Sequence, residues 1–162
     1  MITPHPKPWV QHGPLQVSDS GHFIEHRDGA RFFWLGDTAW RLTTLALEDV
    51  ERYFEIRAAQ GFNVIHFNAT SWGIPNWQGT QPFEGDGPTW PRFRPCESYW
   101  LHVDDIFDRA QARGLYLQLS PWWGLHANSD PGKQFFANPD QDNYLFGRFL
   151  GKRYGGRPNL LW

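Results

Sequence analysis

The sequence has few of the residues from which covalent or metal-bound frameworks are built. Its 162 residues include one cysteine, Cys96, which excludes a disulfide within the chain and a metal site made of cysteines. His22 and His26 are close in sequence. In a strand, however, they would stand about 13 Å apart, too far to share an ion. We therefore expect no metal and no other cofactor.

Strong charge and long apolar runs are also missing. The formal net charge is -2, so we expect neither nucleic acid nor a membrane as a partner. No run approaches the ~18 apolar residues of a membrane span. The first residues, MITPHPKPW, lack the apolar core and cleavage pattern of a signal peptide, which leaves the cytoplasm as the default compartment. No glycine-rich GxGxxG or P-loop segment follows a predicted strand, which counts against a nucleotide-binding fold.

Aromatic residues are what the sequence has in excess, at 17% of the chain. A rich core accounts for many of them. Several tryptophans instead fall in loops rich in glycine and proline or at predicted strand ends, where flat amphipathic rings suit the apolar faces of sugars. The pattern is equally compatible with core packing and with a carbohydrate site. These tryptophans are Trp72, Trp77, Trp90, Trp122 and Trp123.

The hydrophobic pattern predicts strands that alternate with helices. Residues 1–14, which include four prolines, are expected to form an extended, poorly ordered lead-in. A small antiparallel meander follows, and the apolar run Phe32–Leu35 reads as the first main strand, with Asp37 at its tip. Strands alternating with helices imply a parallel sheet with right-handed crossovers. Helices are predicted over 48–60, 97–113 and 140–154, and further strands over 62–68, 115–120 and 158–162.

Side chains alternate along two of these strands. Ile65 and Phe67 share one face of their strand, while His66 and Asn68 share the other. Apolar residues at 115, 117 and 119 likewise alternate with polar Gln118 at the centre of the next strand. Polar residues that face inward favour a barrel lumen over a flat, doubly wound sheet. The predicted fold is therefore an α/β barrel, or its N-terminal part, over residues 15–162.

Four separated segments resemble, in the correct order, the apiosidase-like glycoside hydrolases, a TIM-barrel family. The resemblance extends from about Leu15 to the end of the chain and is weakest in the loop 69–97. The segments are FFWLGDTAW (32–40), RAAQGFNVI (57–65), HVDDIFDRAQARGLYLQL (102–119) and FLGKRYGGRPNLLW (149–162).

The resemblance implies a glycosidase on a (β/α)8 barrel that acts on plant-wall sugars such as apiose in pectin. The family's catalytic carboxylates are expected at the ends of the fourth and seventh strands, so both would lie beyond Trp162. A TIM barrel needs about 250 residues, whereas three βα units and a fourth strand fit here. Because glycoside hydrolysis ordinarily uses two carboxylates, we expect an incomplete barrel that is inactive alone.

The candidate substrate-binding residues cluster at the predicted C-terminal ends of the strands, where ligands bind in α/β folds. Each has an ordinary alternative: Asp37 could cap a turn, His66 could be a satisfied core residue, and Trp40 could simply pack. Loop carboxylates such as Glu84 and Asp86 are expected to be solvated. The set is Asp37, Trp40, His66, Asn68, Trp122 and Trp123.

Three functions remain open from the sequence. The first is the N-terminal part of a glycosidase that acts on an oligosaccharide or glycoside. The second is a sugar-binding module without hydrolytic activity. The third is a half-barrel that assembles with a copy or a complementary half, because open sheet edges favour self-association.

Overall fold

A four-stranded parallel sheet organises the protein, preceded by a two-stranded antiparallel hairpin. The computed structural model describes residues 6–70, 74–85, 94–122, 133 and 140–162. The strands of the parallel sheet lie in sequence order, and right-handed crossovers then place the connecting helices on one face. The elements are α1 (Pro8–Gln11), β1 (Leu15–Val17), β2 (Ile24–His26), β3 (Gly36–Thr38), a 3-10 turn (Leu42–Thr44), α2 (Leu47–Ala59), β4 (Val64–Asn68), α3 (Glu97–Ala112), β5 (Tyr116–Ser120), α4 (Asp140–Tyr154) and β6 (Leu160–Leu161).

The two crossover helices α2 and α3 end in the same way. Gly61 and Gly114 adopt positive φ angles of 87° and 71°, a region that suits glycine because it has no Cβ. The residue after each glycine donates its backbone N–H back into the last helical turn, to Arg57 and to Ala110 respectively. These bonds satisfy carbonyls that the helix leaves unpaired and turn the chain directly into β4 and β5.

The core lies between the sheet and the helices. Ile65, Phe67 and Leu117 on the strands are fully buried against residues of α2, α3 and α4. Trp100 of α3 is also fully buried, and its indole N–H donates to the carbonyl of Pro82 at 2.9 Å. Phe83 of the long loop packs against Trp100, with ring centroids 6.0 Å apart, so this part of the loop belongs to the core.

The predicted alternation of side chains is present in the sheet. The outer face, which packs against the helices, carries the odd-numbered positions of β4 and β5, all of them apolar. The inner face carries the even-numbered positions. On β4 and β5 the first inner residues, Val64 and Tyr116, are apolar or aromatic, and the later ones, His66, Asn68, Gln118 and Ser120, are polar. On β6, Leu161 pairs in register with Gln118 and belongs to the cluster of Val64 and Tyr116.

The predicted first strand is wrong in its position. β3 consists of Gly36–Thr38, while Phe33 is 79% exposed just before it. The apolar run predicts a buried strand, but this segment is held by the side chain of Asn63, which donates to the carbonyl of Phe33 and accepts from the N–H of Leu35. No described strand pairs with the far edge of β3, so the apolar side chains beside it stay exposed.

The extended lead-in is also wrong over the part of it that the structure describes. Pro8 occupies the first turn of α1, a position that suits proline because its missing N–H would be unpaired there anyway. Trp9 is 9% exposed and packs edge-on against Tyr116, with ring centroids 5.1 Å apart. A Cβ on Gly114 would collide with the carbonyl of Pro6. The segment therefore closes the N-terminal end of the inner face.

Candidate functional site

The candidate site lies where β4 and β5 end. The two strands pair in parallel, with His66 beside Gln118 and Asn68 beside Ser120. All four side chains occupy inner positions, opposite to the helix layer. The C-terminal edge of a parallel sheet is where α/β proteins bind ligands, because the loops that follow the strands converge there.

His66 and Ser120 form a direct hydrogen-bonded pair across the two strands. The Nε2 atom of His66 lies 2.7 Å from the hydroxyl oxygen of Ser120. The ring of Trp40 meets the imidazole edge-on, with centroids 5.2 Å apart. Burial lowers the pKa of His66 below its usual 6.5, which favours the neutral ring at pH 7. The pair therefore presents neutral, orientable donors and acceptors beside an aromatic wall.

Asn68 differs in its burial from the other polar inner residues, His66, Gln118 and Ser120, which are only half-buried. Its side chain is 1% exposed, yet neither atom of its carboxamide forms a hydrogen bond with any residue that the structure describes. Buried polar side chains nearly always find a partner, and one that does not costs about 1–3 kcal/mol. Stability alone therefore gives no reason for an asparagine at this position. Among the described residues, the Asn68 amide therefore has neither its donor nor its acceptor engaged.

Asp37, the first candidate by sequence, faces the opposite side of the sheet. It pairs in register with Ile65, whose side chain belongs to the outer core. The Asp37 carboxylate accepts hydrogen bonds from Tyr53 Oη at 2.7 Å and from the N–H of Thr38 at 2.8 Å, and it forms an ion pair with Arg57. Asp37 therefore lies within β3, one residue before its C-terminal end, and its carboxylate is directed toward α2. Its part in substrate binding stays a prediction.

Asp37, Tyr53 and Arg57 on the outer face are here called the outer cluster. Its electrostatics are those of a structural ion pair. Burial opposes ionisation of Asp37, but the hydrogen bonds from Tyr53, Thr38 and Arg57 outweigh it, and the pKa of the carboxyl lies below its usual range. Burial and the same carboxylate raise the pKa of Tyr53, which stays protonated and donating. The cluster ties β3 to α2 and leaves Asp37 with its carboxylate oxygens engaged.

The remaining candidates are placed only in part. Trp122 is half-buried two residues after β5, close to Pro121, whose carbonyl accepts from the hydroxyl of Thr70 at 3.2 Å. Trp123 lies outside the described residues, as do Trp72, Trp90 and Asp86. Glu84 is exposed. The structure thus brings Trp40, His66 and Asn68 together at the edge of β4.

Sequence reasoning left Ser120 out of the candidate set. The signal for it was present, because Ser120 follows Tyr116 and Gln118 on the same alternating face and ends its strand. Strand register, which places Ser120 beside Asn68 and within reach of His66, could not be read from either strand alone.

Neither a metal-binding cluster nor a membrane-spanning helix is found among the described residues. Within them, no group of three or more histidine, cysteine, aspartate and glutamate side chains is arranged to hold a metal ion. No helix in the same part of the chain has both the length and the apolar character needed to cross a membrane.

The sheet and its helices define a class of protein. A glycoside hydrolase family 5 structure from Bacteroides vulgatus matches 98% of this chain with a TM-score of 0.80 and 30% identity. A second structure, described as a glycoside hydrolase, matches with the same coverage, score and identity. An endo-1,4-beta-mannanase from Rhizomucor miehei shares the fold over 90% of the chain, at a TM-score of 0.55 and 16% identity. The chain therefore has the α/β fold of part of a glycoside-hydrolase TIM barrel, as the sequence predicted.

The family is more specific than the class. Residues 18–162 match the family described as apiosidase-like, catalytic domain, and the chain belongs to it. No curated protein matches the chain. The chain spans about a third of the length of the two 30% identical glycoside hydrolases, covering 33% and 35% of them. The resemblance stated from the four sequence segments is thereby confirmed.

Proposed function

We propose that this chain forms the substrate-binding N-terminal part of a glycoside hydrolase that acts on plant cell-wall sugars of the pectin type, such as apiosides. The observation that carries the proposal is Asn68, a buried amide without a partner in the described chain, at the sheet edge where barrels bind ligands. The family match supplies the class of substrate, a carbohydrate.

We propose further that residues 1–162 bind substrate but do not hydrolyse it. Glycosidic bond cleavage ordinarily needs two carboxyl groups, one to protonate the leaving group and one to act as nucleophile or base. The inner positions of β4 and β5 carry no carboxylate, and Asp37 faces the helices. Structures that match this chain are about three times as long, which leaves room for the catalytic pair in other strands.

Binding and turnover of the purified chain test this proposal together. Saturable binding of pectin-derived oligosaccharides, followed by calorimetry, is expected without release of reducing sugar. Fusion to the remaining two thirds of the 30% identical Bacteroides vulgatus structure should then produce hydrolysis. Turnover by residues 1–162 alone would contradict the proposed division of roles, and the absence of any sugar binding would contradict the site.

The open edge of the sheet supports a second candidate, a half-barrel that functions by assembly. Phe33, Trp34 and Leu35, here called the edge patch, are 79%, 40% and 38% exposed beside β3. A strand edge with exposed apolar side chains is a template for pairing with another chain. Assembly with a copy of itself or with a complementary half would cover the edge patch. A sugar-binding module without hydrolysis would not require such assembly.

A further inference from the structure

The inner face carries a set of polar side chains that can discriminate between kinds of sugar: Asn68, His66 and Ser120. Asn68 lies beside Ser120 in register and two residues beyond His66 on the same face. We propose that these three side chains form a subsite that binds adjacent hydroxyl groups of a neutral sugar and disfavours a uronic acid at the same position. The inference rests on the proposed function and names the part of the substrate that this surface recognises.

The first step of the argument is the chemistry of the Asn68 amide. Its Oδ1 atom can only accept a hydrogen bond, and its Nδ2 group can only donate. Both atoms are buried, and neither has a partner in the described chain. A sugar hydroxyl both donates and accepts, so neighbouring hydroxyls satisfy both atoms. An ionised carboxylate only accepts, and would leave Oδ1 buried without a donor.

The second step is the versatility of the His66–Ser120 pair. The 2.7 Å contact joins Nε2 of His66 to the Ser120 hydroxyl. If the hydroxyl donates to the ring, its lone pairs accept from a ligand. If the ring donates instead, the hydroxyl proton is available to a ligand oxygen. In both arrangements the pair complements a neutral hydroxyl without a change of charge.

The third step is spacing. Neighbouring strands lie about 5 Å apart, so Asn68 and Ser120 flank a gap that a sugar ring bridges with one hydroxyl directed to each side. Trp40, edge-on to His66 at 5.2 Å, adds an aromatic wall next to these polar groups. An apolar surface beside converging polar groups is the usual make-up of a small-molecule site.

The fourth step is the charge of the surface. None of the inner positions of β4 and β5 is lysine or arginine, so no cation on these strands would compensate a bound carboxylate. A buried carboxylate without a counter-charge is costly. The inner positions are Val64, His66, Asn68, Tyr116, Gln118 and Ser120.

The experiment compares matched sugars on the wild-type chain and on variants. Methyl glycosides of neutral pentoses and hexoses, their uronic acid counterparts and deoxy analogues are titrated while the side-chain amide of Asn68 is followed by NMR. The best neutral glycoside should shift this signal with saturation. Asn68→Leu should weaken its binding about tenfold, the effect of two lost neutral hydrogen bonds. Ser120→Ala should weaken it less, and Gln16→Leu, which removes an amide on the distant hairpin, should leave it unchanged.

The deoxy analogues make the test specific. An analogue that lacks the recognised hydroxyl should bind the wild-type chain more weakly than the parent sugar does, and this difference should disappear in Asn68→Leu. Saturable binding that Asn68→Leu leaves intact would overturn the subsite while keeping a carbohydrate function. A preference for the uronic acid would overturn the neutral class. No saturable binding of any glycoside would overturn both the subsite and the proposed function.

Discussion

The two faces of the same parallel sheet follow opposite rules. On the outer face, Phe67 and Leu117 are fully buried against helices, and the one carboxylate, Asp37, has its hydrogen bonds satisfied by Tyr53, Thr38 and Arg57. On the inner face, polar side chains end the strands, and a buried amide has no partner in the described chain. The outer face satisfies its polar groups within the fold, whereas the inner face leaves a buried amide unsatisfied among the described residues, a cost in stability that the proposed binding site would explain.

Two asparagines express this difference in one residue type. Asn159, fully buried before β6, donates its side-chain N–H groups to the carbonyls of Leu115 and Phe107 at 3.2 and 3.4 Å. Asn68 is as deeply buried, but both its N–H groups and its Oδ1 lack a partner among the described residues, whereas in Asn159 only Oδ1 does. Replacing each by leucine, which has a similar volume, should therefore separate a structural amide from a functional one.

The largest expected effect belongs to the outer core. Trp100→Ala should lower the free energy of unfolding by about 3–5 kcal/mol, because it leaves a large cavity among aromatic side chains of α3 and α4. Denaturant unfolding followed by circular dichroism measures the loss. Trp77→Ala, at a tryptophan that is 48% exposed, is the matched control and should change stability little. Equal losses in the two variants would refute the assignment of the core.

The asparagine pair should change stability in opposite directions. Asn159→Leu should lower the free energy of unfolding by about 1–3 kcal/mol, because two backbone carbonyls lose their donor. Asn68→Leu should raise it by about 1 kcal/mol, because a buried amide without a partner is removed. Thermal unfolding of both variants beside the wild type gives the sign. A clear loss in Asn68→Leu would mean that the amide is a structural group and would break the comparison.

The ionisation of Asp37 on the outer face should make the free energy of unfolding depend on pH. The folded chain holds the pKa of Asp37 below 3.8, so the unfolded chain binds its proton more readily. The stabilisation from ionised Asp37 is fully present above the pKa of the unfolded chain and is lost as the pH falls through the lower pKa of the folded chain. Asp37→Asn should cost about 1 kcal/mol at pH 7, since the ion pair reaches solvent.

Urea unfolding between pH 7 and pH 2 measures this dependence. The stability of Asp37→Asn should fall less steeply below pH 4 than that of the wild type. Asp105→Asn is the control, because its carboxylate is half-exposed and lies 4.0 Å from Arg109. Parallel pH curves for wild type and Asp37→Asn would show that the outer cluster contributes no proton-linked stability.

The smallest effect on stability is expected at the edge patch. Phe33→Lys should change the free energy of unfolding by less than about 0.5 kcal/mol, as most exposed substitutions do. It should nevertheless reduce self-association, because a charge blocks pairing at a strand edge. Size-exclusion chromatography over a range of concentrations measures this. Leu101→Lys, at a site on α3 that is 53% exposed, should leave self-association unchanged, and an equal response of both variants would exclude the edge as the contact.

Local patterns predicted much of the fold. Helix α4 has the predicted bounds, α3 ends one residue earlier than predicted, and α2 begins and ends one residue earlier than predicted. The alternation along β4 and β5 assigned Ile65 and His66 to opposite faces, because side chains of a strand point alternately to its two sides. The predicted position of the first strand is wrong, because the apolar character of residues 32–35 does not reveal whether a neighbouring strand covers them.

The sequence by itself determined the α/β order, the two faces of the central strands and the family, because each depends on residues that are close in the chain or on motifs in a fixed order. Only the tertiary structure decided that Asp37 faces α2, that Trp9 covers Tyr116 and that Ser120 lies within hydrogen-bond distance of His66. These relations depend on register between strands and on contacts between distant segments. They cannot be read from a single segment of the sequence, because each contact forms only when two distant segments are brought together by the fold.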